Sequence, residues 1–179
     1  MPDDLSVRRL ATTAIKGLAL DHPDAIDVTE HGAAGDRRFL LVDETGSIQS
    51  CSGNAGLFGM HATWDETSRR LTVTRDAAVL ISGVVDSAAA VDTDMFGLRT
   101  IVTDVVADPA WSEFFSVAVG RRVQLRQARG CAVDVRPVTL LGTASIDELT
   151  RRSGQRDVDP QRFRLLIEFS GGPPHVEDT

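Results

Sequence analysis

The feature that most constrains this chain is a series of short segments in which apolar and polar residues alternate between turn residues. Residues 5–10 and 25–30 alternate in this way, which is the pattern of a strand with one buried face. Residues 38–43 are more uniformly apolar and suit a buried strand, and the turn at residues 44–46 joins them to residues 47–50 as a hairpin. A chain that opens in this way is predicted to fold mainly as β-strands.

Further strands are predicted along the chain by the same pattern. Residues 60–64 and 69–75 are expected to form a second hairpin, and residues 84–94 and 99–105 two more strands. Later strands are predicted at residues 122–127, 138–141 and 163–169. Many short strands with few helices favour a β-rich, barrel-like fold.

Helix signals occur only in the second half of the chain. Asp108 is an N-cap residue, Pro109 suits the first helical position, and Gly120 ends the first predicted helix. Ser145 opens a Ser-x-x-Glu capping box, so the second helix is predicted to begin there and to stop at Gly154. The apolar face of the first helix is predicted to pack in the core and consists of Trp111, Phe114, Phe115 and Ala118.

The charge balance excludes several classes of protein. A net charge of -7 and a pI near 5.0 disfavour sequence-independent binding to nucleic acid or to anionic membranes, which requires a basic surface. No apolar stretch approaches the roughly 20 residues that span a bilayer. The N-terminus is acidic where a secretory signal is basic, so we expect a cytoplasmic protein.

The two cysteines, Cys51 and Cys131, lie far apart in the sequence and form no Cys-x-x-Cys pair. In a reducing compartment they are expected to be free thiols, with buried or half-buried packing as their default role. The four histidines have no metal-ligand spacing, so no metal site is predicted from protein side chains.

Three islands of the sequence carry groups that bind anions. The first contains Lys16 followed by Gly17, the second is the glycine-rich segment 32–39 with its paired arginines, and the third combines Ser145 with residues 162–164. Lysine, arginine, helix N-termini and glycine-rich backbone are the donors that hold phosphate. Each group also has a structural alternative: Lys16 as a solvated strand end, Asp36 with Arg37 as an ion pair in a turn, and Ser145 as a helix cap only.

The order of these islands resembles the MOSC family, which includes the amidoxime-reducing component and the C-terminal domain of molybdenum cofactor sulfurases. The N-terminal module of that family has a Tyr-Pro-Val-Lys-Ser strand end, then Gly-Asp-Arg-Arg, then an Asp-x-x-Gly turn. The corresponding residues here are 13–17, 35–39 and 43–46. Residues 137–145, followed by residues 162–164 and then Glu-Asp, are similar to the opening half of the MOSC domain itself.

The resemblance implies a two-module β-barrel architecture, with residues 1–105 as the N-terminal module and residues 106–179 as a partial MOSC domain. It implies that the molybdenum cofactor, a phosphorylated pterin, binds in a basic pocket between the modules. Lys16 and Arg37 would contact its phosphate or pterin, Ser145 would add donors, and Arg164 would close the far side. Arg162 and Arg164 alternate along the predicted strand, so at most one of them faces the pocket, and we favour Arg164.

The chain departs from the family in three places. Gly17 replaces a serine, Leu165 and Leu166 stand where Pro and Asn are usual, and the sequence ends at Thr179 before the Arg-Cys motif. The cysteine of that motif binds molybdenum or carries persulfide, because soft metals and sulfane sulfur require a thiolate. Cys131 is the better substitute candidate of the two cysteines. The missing strands are also expected to leave a barrel edge that a second copy, a partner chain or further residues of the protein complete.

Two functions follow from the resemblance, and a third stays open. The first is reduction of N-hydroxylated substrates at molybdenum, or sulfur transfer, with a desulfurase or redox protein as partner and pyridoxal phosphate only on a separate desulfurase domain. The second is a degenerate, non-catalytic member that binds a small anion or a protein. A third chemistry on the same barrel, such as carbon–sulfur bond cleavage, stays open because a fold does not fix a function.

Overall fold

The computed structural model describes residues 4–178, which divide into two compact units. The large unit comprises residues 13–21 and 28–137, and the small unit comprises the described residues among 1–12, 22–27 and 138–179. The boundary expected between residues 105 and 106 falls inside a strand of the large unit, so the division by contacts differs from the predicted one.

The described strands are β1 (Ser6–Leu10), β2 (Val28–Thr29), β3 (Gly32–Ala33), β4 (Phe39–Asp43), β5 (Ile48–Gln49), β6 (His61–Asp65), β7 (Arg70–Arg75), β8 (Ala78–Val84), β9 (Ser87–Asp94), β10 (Thr100–Val106), β11 (Val123–Ala128), β12 (Leu140–Gly142) and β13 (Ile167–Ser170). The two α-helices of the described residues are α1 (Pro109–Val119) and α2 (Thr143–Ser153), and short 3-10 helices span Ala55–Leu57, Pro160–Phe163 and Val176–Asp178. The prediction of a mainly β fold with a few helices is confirmed. None of the helices in residues 4–178 is long and apolar enough to cross a membrane.

The large unit contains a five-stranded sheet in the order β5-β4-β11-β10-β9, a three-stranded sheet β6-β7-β8 and the pair β2-β3. Its main core consists of fully buried side chains from these sheets and from α1, including Ile15, Phe39, Leu71, Trp111 and Leu125. Burial of a large apolar side chain contributes roughly 1.5–3 kcal/mol, so this core supplies most of the stability of the unit. The predicted packing of the α1 aromatics in the core is confirmed.

Helix α1 also supplies hydrogen-bond acceptors to unpaired backbone N–H groups of β11. The side chains of Ser112 and Ser116, four residues apart on one helix face, accept hydrogen bonds from the backbone N–H groups of Leu125 and Val123 at 3.2 and 3.0 Å. These N–H groups lie where β11 is not paired with β10. The helix begins as predicted, because the Asp108 carboxylate accepts a hydrogen bond from the N–H of Ala110 at 3.0 Å.

The small unit contains a three-stranded sheet in which β13 is central, antiparallel to β1 and parallel to β12. Helix α2 follows β12 directly, and Gly154 ends it as predicted. The start is corrected: the helix begins at Thr143 with Gly142 as its N-cap, so Ser145 lies inside the first turn. The Glu148 side chain pairs with Arg151 and Arg152 instead of returning to the helix start.

The predicted strand at residues 163–169 is also corrected. Asp159 caps a 3-10 helix over Pro160–Phe163, with its carboxylate accepting a hydrogen bond from the N–H of Gln161 at 2.9 Å. Proline at the first position of this helix favours the turn, so the strand begins only at Ile167. Arg162 and Arg164 therefore do not alternate along a strand, and the reason for preferring Arg164 does not hold.

Two further predictions are corrected. The expected strand at residues 84–94 is divided between β8 and β9, which belong to different sheets, with the buried Val85 at the break.

The expected barrel is replaced, within residues 4–178, by open sheets. The largest ends at β5 on one side and at β9 on the other, and each strand order has two edges. The hairpins at residues 38–50 and 60–75 are confirmed.

Candidate anion-binding site

Lys16 lies in the large unit, beside the first residue of β4. Its N–H donates to the Phe39 carbonyl at 2.7 Å, and the Phe39 N–H donates to the Ala14 carbonyl at 2.9 Å. These bonds continue a parallel bridge between Ile15 and Phe39, both fully buried. The backbone of Lys16 is therefore held against the core of the large unit.

The buried ammonium group of Lys16 is unusual in this sequence, because Lys16 is the only lysine in the chain. Its side chain is 10% exposed, and its Nζ lies 2.8 Å from Asp134 Oδ1 and 5.8 Å from the ring centre of Phe96. Burial is the largest influence and lowers the pKa of Lys16; the Asp134 carboxylate raises it, the nearby charge of Arg37 lowers it as well, and the net effect is a lowered pKa. Lys16 is thus a desolvated cation, not a solvated strand end.

Arg37 is held in a strained turn next to Lys16. Its backbone has φ of 46°, a left-handed conformation that costs a non-glycine residue roughly 1 kcal/mol or more. Its N–H donates to the Thr13 carbonyl at 2.6 Å, and its own carbonyl accepts from Ala132 at 2.9 Å. The guanidinium forms an ion pair with Asp36, whose other oxygen accepts from the Thr13 N–H at 2.8 Å. The ion pair between Asp36 and Arg37, which the sequence offered as the alternative to ligand binding, is therefore formed.

Cys131 joins the same group of residues. Its thiol donates to the Asp36 carbonyl oxygen at 3.0 Å. Burial, and next the charge of Asp36, raise the pKa of Cys131 to about 11, against the lowering effects of Arg37 and Lys16. At neutral pH the sulfur is a thiol rather than the thiolate that acts as nucleophile or metal ligand.

Two cavities of the large unit share Cys131, Gly130, Arg129 and His31 in their walls. One, of about 390 Å³, is also lined by Arg38 and Trp64, and the other, of about 300 Å³, by Arg99. The Arg99 guanidinium donates to the carbonyl oxygens of Cys131 and Val133 at 3.1 and 2.7 Å, which anchors the segment that carries Asp134.

Ser145 lies in the small unit, where its neighbour is a carboxylate of the same chain. The Ser145 hydroxyl accepts a hydrogen bond from the N–H of His175 at 2.8 Å, and Glu177 Oε1 accepts from the N–H of Gly142 at 3.0 Å. Burial raises the pKa of Glu177, but Ser145 and the backbone N–H groups together lower it below its usual value. The N-terminus of α2 is therefore capped by Glu177.

Arg164 also belongs to the small unit. It follows the 3-10 helix Pro160–Phe163 as its C-cap, with φ of 55°, and its N–H donates to the Gln161 carbonyl at 3.1 Å. Of the predicted site residues, Lys16, Arg37 and Cys131 thus lie together in the large unit, while Ser145 and Arg164 lie in the small unit. Their convergence on one pocket stays a prediction.

Sequence reasoning missed the carboxylate partners of this site. Asp134 and Glu177 neutralise Lys16 and the α2 N-terminus, yet each is far from its partner along the chain. An isolated Asp in a polar loop gives no sequence signal for such a pairing. Glu177 belongs to the Glu-Asp pair that follows residues 162–164 in the MOSC resemblance, and that pattern does not indicate this role.

Gly17 stands where the MOSC pattern has a serine, and its surroundings leave no room for a side chain. Its φ is +88°, and a Cβ atom at this position would lie 2.4 Å from Ser50 Cβ. A serine therefore does not fit here with this backbone, whatever its effect on the site.

Residues 4–178 contain no group of three or more His, Cys, Asp or Glu side chains that could hold a metal ion. No protein-family model matches the chain, and a search of the curated proteins finds no match either.

Proposed function

We propose that this chain is a MOSC-like protein that binds a small phosphorylated molecule at Lys16, with Arg37 as a second positive charge, and without redox chemistry at a cysteine. The observation that supports it best is the pairing of the buried Lys16 with Asp134, whose side chain is 53% exposed. Because the Asp134 side chain is about half exposed to water, the phosphate of a ligand can replace it as the partner of Lys16.

The hydrogen-bonding capacity of Lys16 favours a ligand. An ammonium group has three N–H donors. Asp134 accepts from this group, and no second side-chain or backbone acceptor for Lys16 Nζ is found among residues 4–178. Leaving buried charged donors unsatisfied is costly, and a phosphate offers several acceptor oxygens at once.

The molybdenum cofactor fits this site at one end only. Its phosphate would be held by Lys16 and Arg37, in agreement with the resemblance. Its metal requires a thiolate, and the two cysteines do not offer one here: Cys131 has a pKa of about 11, and Cys51 packs against the main core. The described residues therefore do not fit the metal end of the cofactor, and we favour the non-catalytic form of the function.

A second candidate is the catalytic form, with reduction of N-hydroxylated substrates or sulfur transfer. It is favoured by the position of Cys131 beside Lys16 and Arg37, two cations that lower the pKa of a thiol. After expression in a cofactor-competent host, stoichiometric molybdenum and pterin fluorescence on oxidation would support it, and a metal-free protein would contradict it. A desulfurase or redox partner, a second copy at a sheet edge and a cytoplasmic location are part of this proposal.

The single lysine allows a direct test of phosphate binding. Protein labelled with [13Cε]-lysine gives one lysine Hε–Cε NMR signal, because no other lysine is present. Added inorganic phosphate is expected to change the chemical shift of this signal until the site is saturated. Asp134→Asn should tighten binding about fivefold, since the competing carboxylate is worth about 1 kcal/mol.

The matched control for that variant is Asp92→Asn, which changes an exposed carboxylate on β9 of the same unit and should leave the phosphate affinity unchanged. Arg37→Ala should weaken binding. A lysine signal that phosphate does not move, in both the natural protein and Asp134→Asn, would refute the proposed site.

A further inference from the structure

The side chains of β11 alternate between two faces of the five-stranded sheet. Val123 and Leu125 point into the main core and are buried, whereas Gln124 and Arg126 point to the opposite face. That face borders a groove of about 1020 Å³, here called the outer groove. Its accessible apolar lining includes Val91, Val105, Val117 and Pro109.

Arg126 is the half-buried cation of the outer groove. Its Nη1 donates to Thr93 Oγ1 at 3.0 Å, and its Nη2 and Nε donate to Gln124 Oε1 at 2.9 and 3.3 Å. All of these acceptors are neutral, and among residues 4–178 no carboxylate forms an ion pair with Arg126. Burial lowers the pKa of Arg126, and no charged neighbour offsets that effect.

The geometry leaves Arg126 prepared for a ligand. A guanidinium has five N–H bonds, and the three contacts to Thr93 and Gln124 fix its plane while two N–H bonds keep no acceptor in the described residues. A fixed planar fork binds the two oxygens of a carboxylate in parallel. Arg126 therefore has both a missing counter-charge and a suitable shape.

The carboxylates of the outer groove do not supply that counter-charge. Asp43 Oδ1 accepts from the N–H groups of Thr45 and Ser47, and Glu44 pairs with Arg122 at 3.4 Å. Asp92 and Glu113 line the groove too, but both are exposed residues on its rim. Water screens these rim charges from a ligand held at the floor.

We infer that the outer groove binds a small amphipathic molecule, whose carboxylate pairs with Arg126 and whose apolar part lies against the valines of the groove. The volume suits a ligand of that size, since sites for small molecules typically enclose about 300–1,000 Å³. The groove combines apolar side chains with one oriented, half-buried cation, and both elements recur in sites for small molecules. This site is separate in residues and ligand from the proposed phosphate site.

Octanoate is a suitable probe, with acetate and octanol as its two halves. By isothermal titration calorimetry, octanoate should bind, while acetate and octanol should each bind at least about tenfold more weakly because one of the two interactions is lost. Octanol that binds as well as octanoate would overturn the inference, because the groove would then be apolar only. Octyl phosphate separates a requirement for carboxylate from a general preference for oxyanions.

Three variants test the role of Arg126. Arg126→Gln should weaken octanoate binding about tenfold, and Arg122→Gln, an exposed arginine of the same groove, should change it by less than about twofold. Val117→Glu adds a carboxylate at a residue that is 84% exposed on α1; because water screens it like the other rim charges, this variant should keep the fold and change octanoate affinity by less than about twofold. Equal affinities for all three variants and the natural protein, or no octanoate binding at all, would overturn the inference.

Discussion

Lys16 Nζ and Asp134 Oδ1 lie 2.8 Å apart, yet the lysine side chain is only 10% exposed and the aspartate side chain is 53% exposed. The ion pair is therefore asymmetric: one partner has lost most of its hydration and the other has kept about half. Removal of the lysine charge leaves an aspartate that water can solvate. Removal of the aspartate leaves a buried ammonium, which is the more costly change.

This asymmetry predicts the stability of Lys16→Met. Methionine keeps the apolar stem and removes the desolvated charge, so we expect the free energy of unfolding at pH 7 to be unchanged or raised by about 1 kcal/mol. The phosphate response should be lost in the same variant. Chemical denaturation measures the first effect, and calorimetric titration with inorganic phosphate the second. A strongly destabilised variant would contradict the asymmetry.

The pH dependence of that difference has a definite sign. The folded protein holds the pKa of Lys16 below the usual 10.5, so the unfolded chain binds more protons between the two values. The contribution of this residue to stability therefore rises with pH through that window. Any stability advantage of Lys16→Met at pH 7 should shrink as pH approaches 10.5. An advantage that grows with pH would show the opposite shift.

Cys131 should react slowly with alkylating reagents. With a pKa of about 11, its thiolate fraction rises tenfold per pH unit up to that value. In a Cys51→Ala background, the rate of alkylation by iodoacetamide should increase through pH 8, 9 and 10 and level off only near 11. The denatured protein is the control, and its rate should level off near the ordinary value of about 8.5. Levelling off at neutral pH would support a catalytic thiolate instead.

Glu177 should stabilise the small unit through the N-terminus of α2. Its carboxylate accepts the Gly142 N–H, so Glu177→Gln is expected to lower the free energy of unfolding by about 0.5–1 kcal/mol at pH 7. Because the folded pKa is depressed, this contribution is present above the usual value of 4.5 and is lost as pH falls below it. Asp178→Asn is the matched control. Equal effects of the two variants would remove the specific role of Glu177.

Gly17→Ser separates two costs, backbone strain and steric overlap. Gly17 and Gly46 have nearly the same φ, +88° and +85°, but only Gly17 has a close neighbour, Ser50. Gly46→Ser should therefore cost about 1 kcal/mol for the backbone alone, and Gly17→Ser clearly more. Ser50→Gly should restore part of the loss in Gly17→Ser and none in Gly46→Ser. Equal losses in both single variants would exclude the overlap.

Local chemistry determined much of this protein before any contact was known. The turn that starts at Asp43, the cap at Asp108 and the stops at Gly120 and Gly154 lie as predicted, because each depends on residues within a few positions of one another. The mainly β character follows from alternation, which is likewise local. The start of α2 was misplaced because Glu177, from a distant segment, caps Gly142.

Tertiary structure alone decided which charges have partners. The sequence identified Lys16 and Arg37 as anion-binding candidates, but whether Lys16 meets water or Asp134 depends on where the chain returns after β11. Arg126 resembles any other arginine of a strand until the fold covers part of it without an adjacent carboxylate. Electrostatic energies depend on burial and on the distances between residues that are remote in sequence, and local sequence predicts neither quantity.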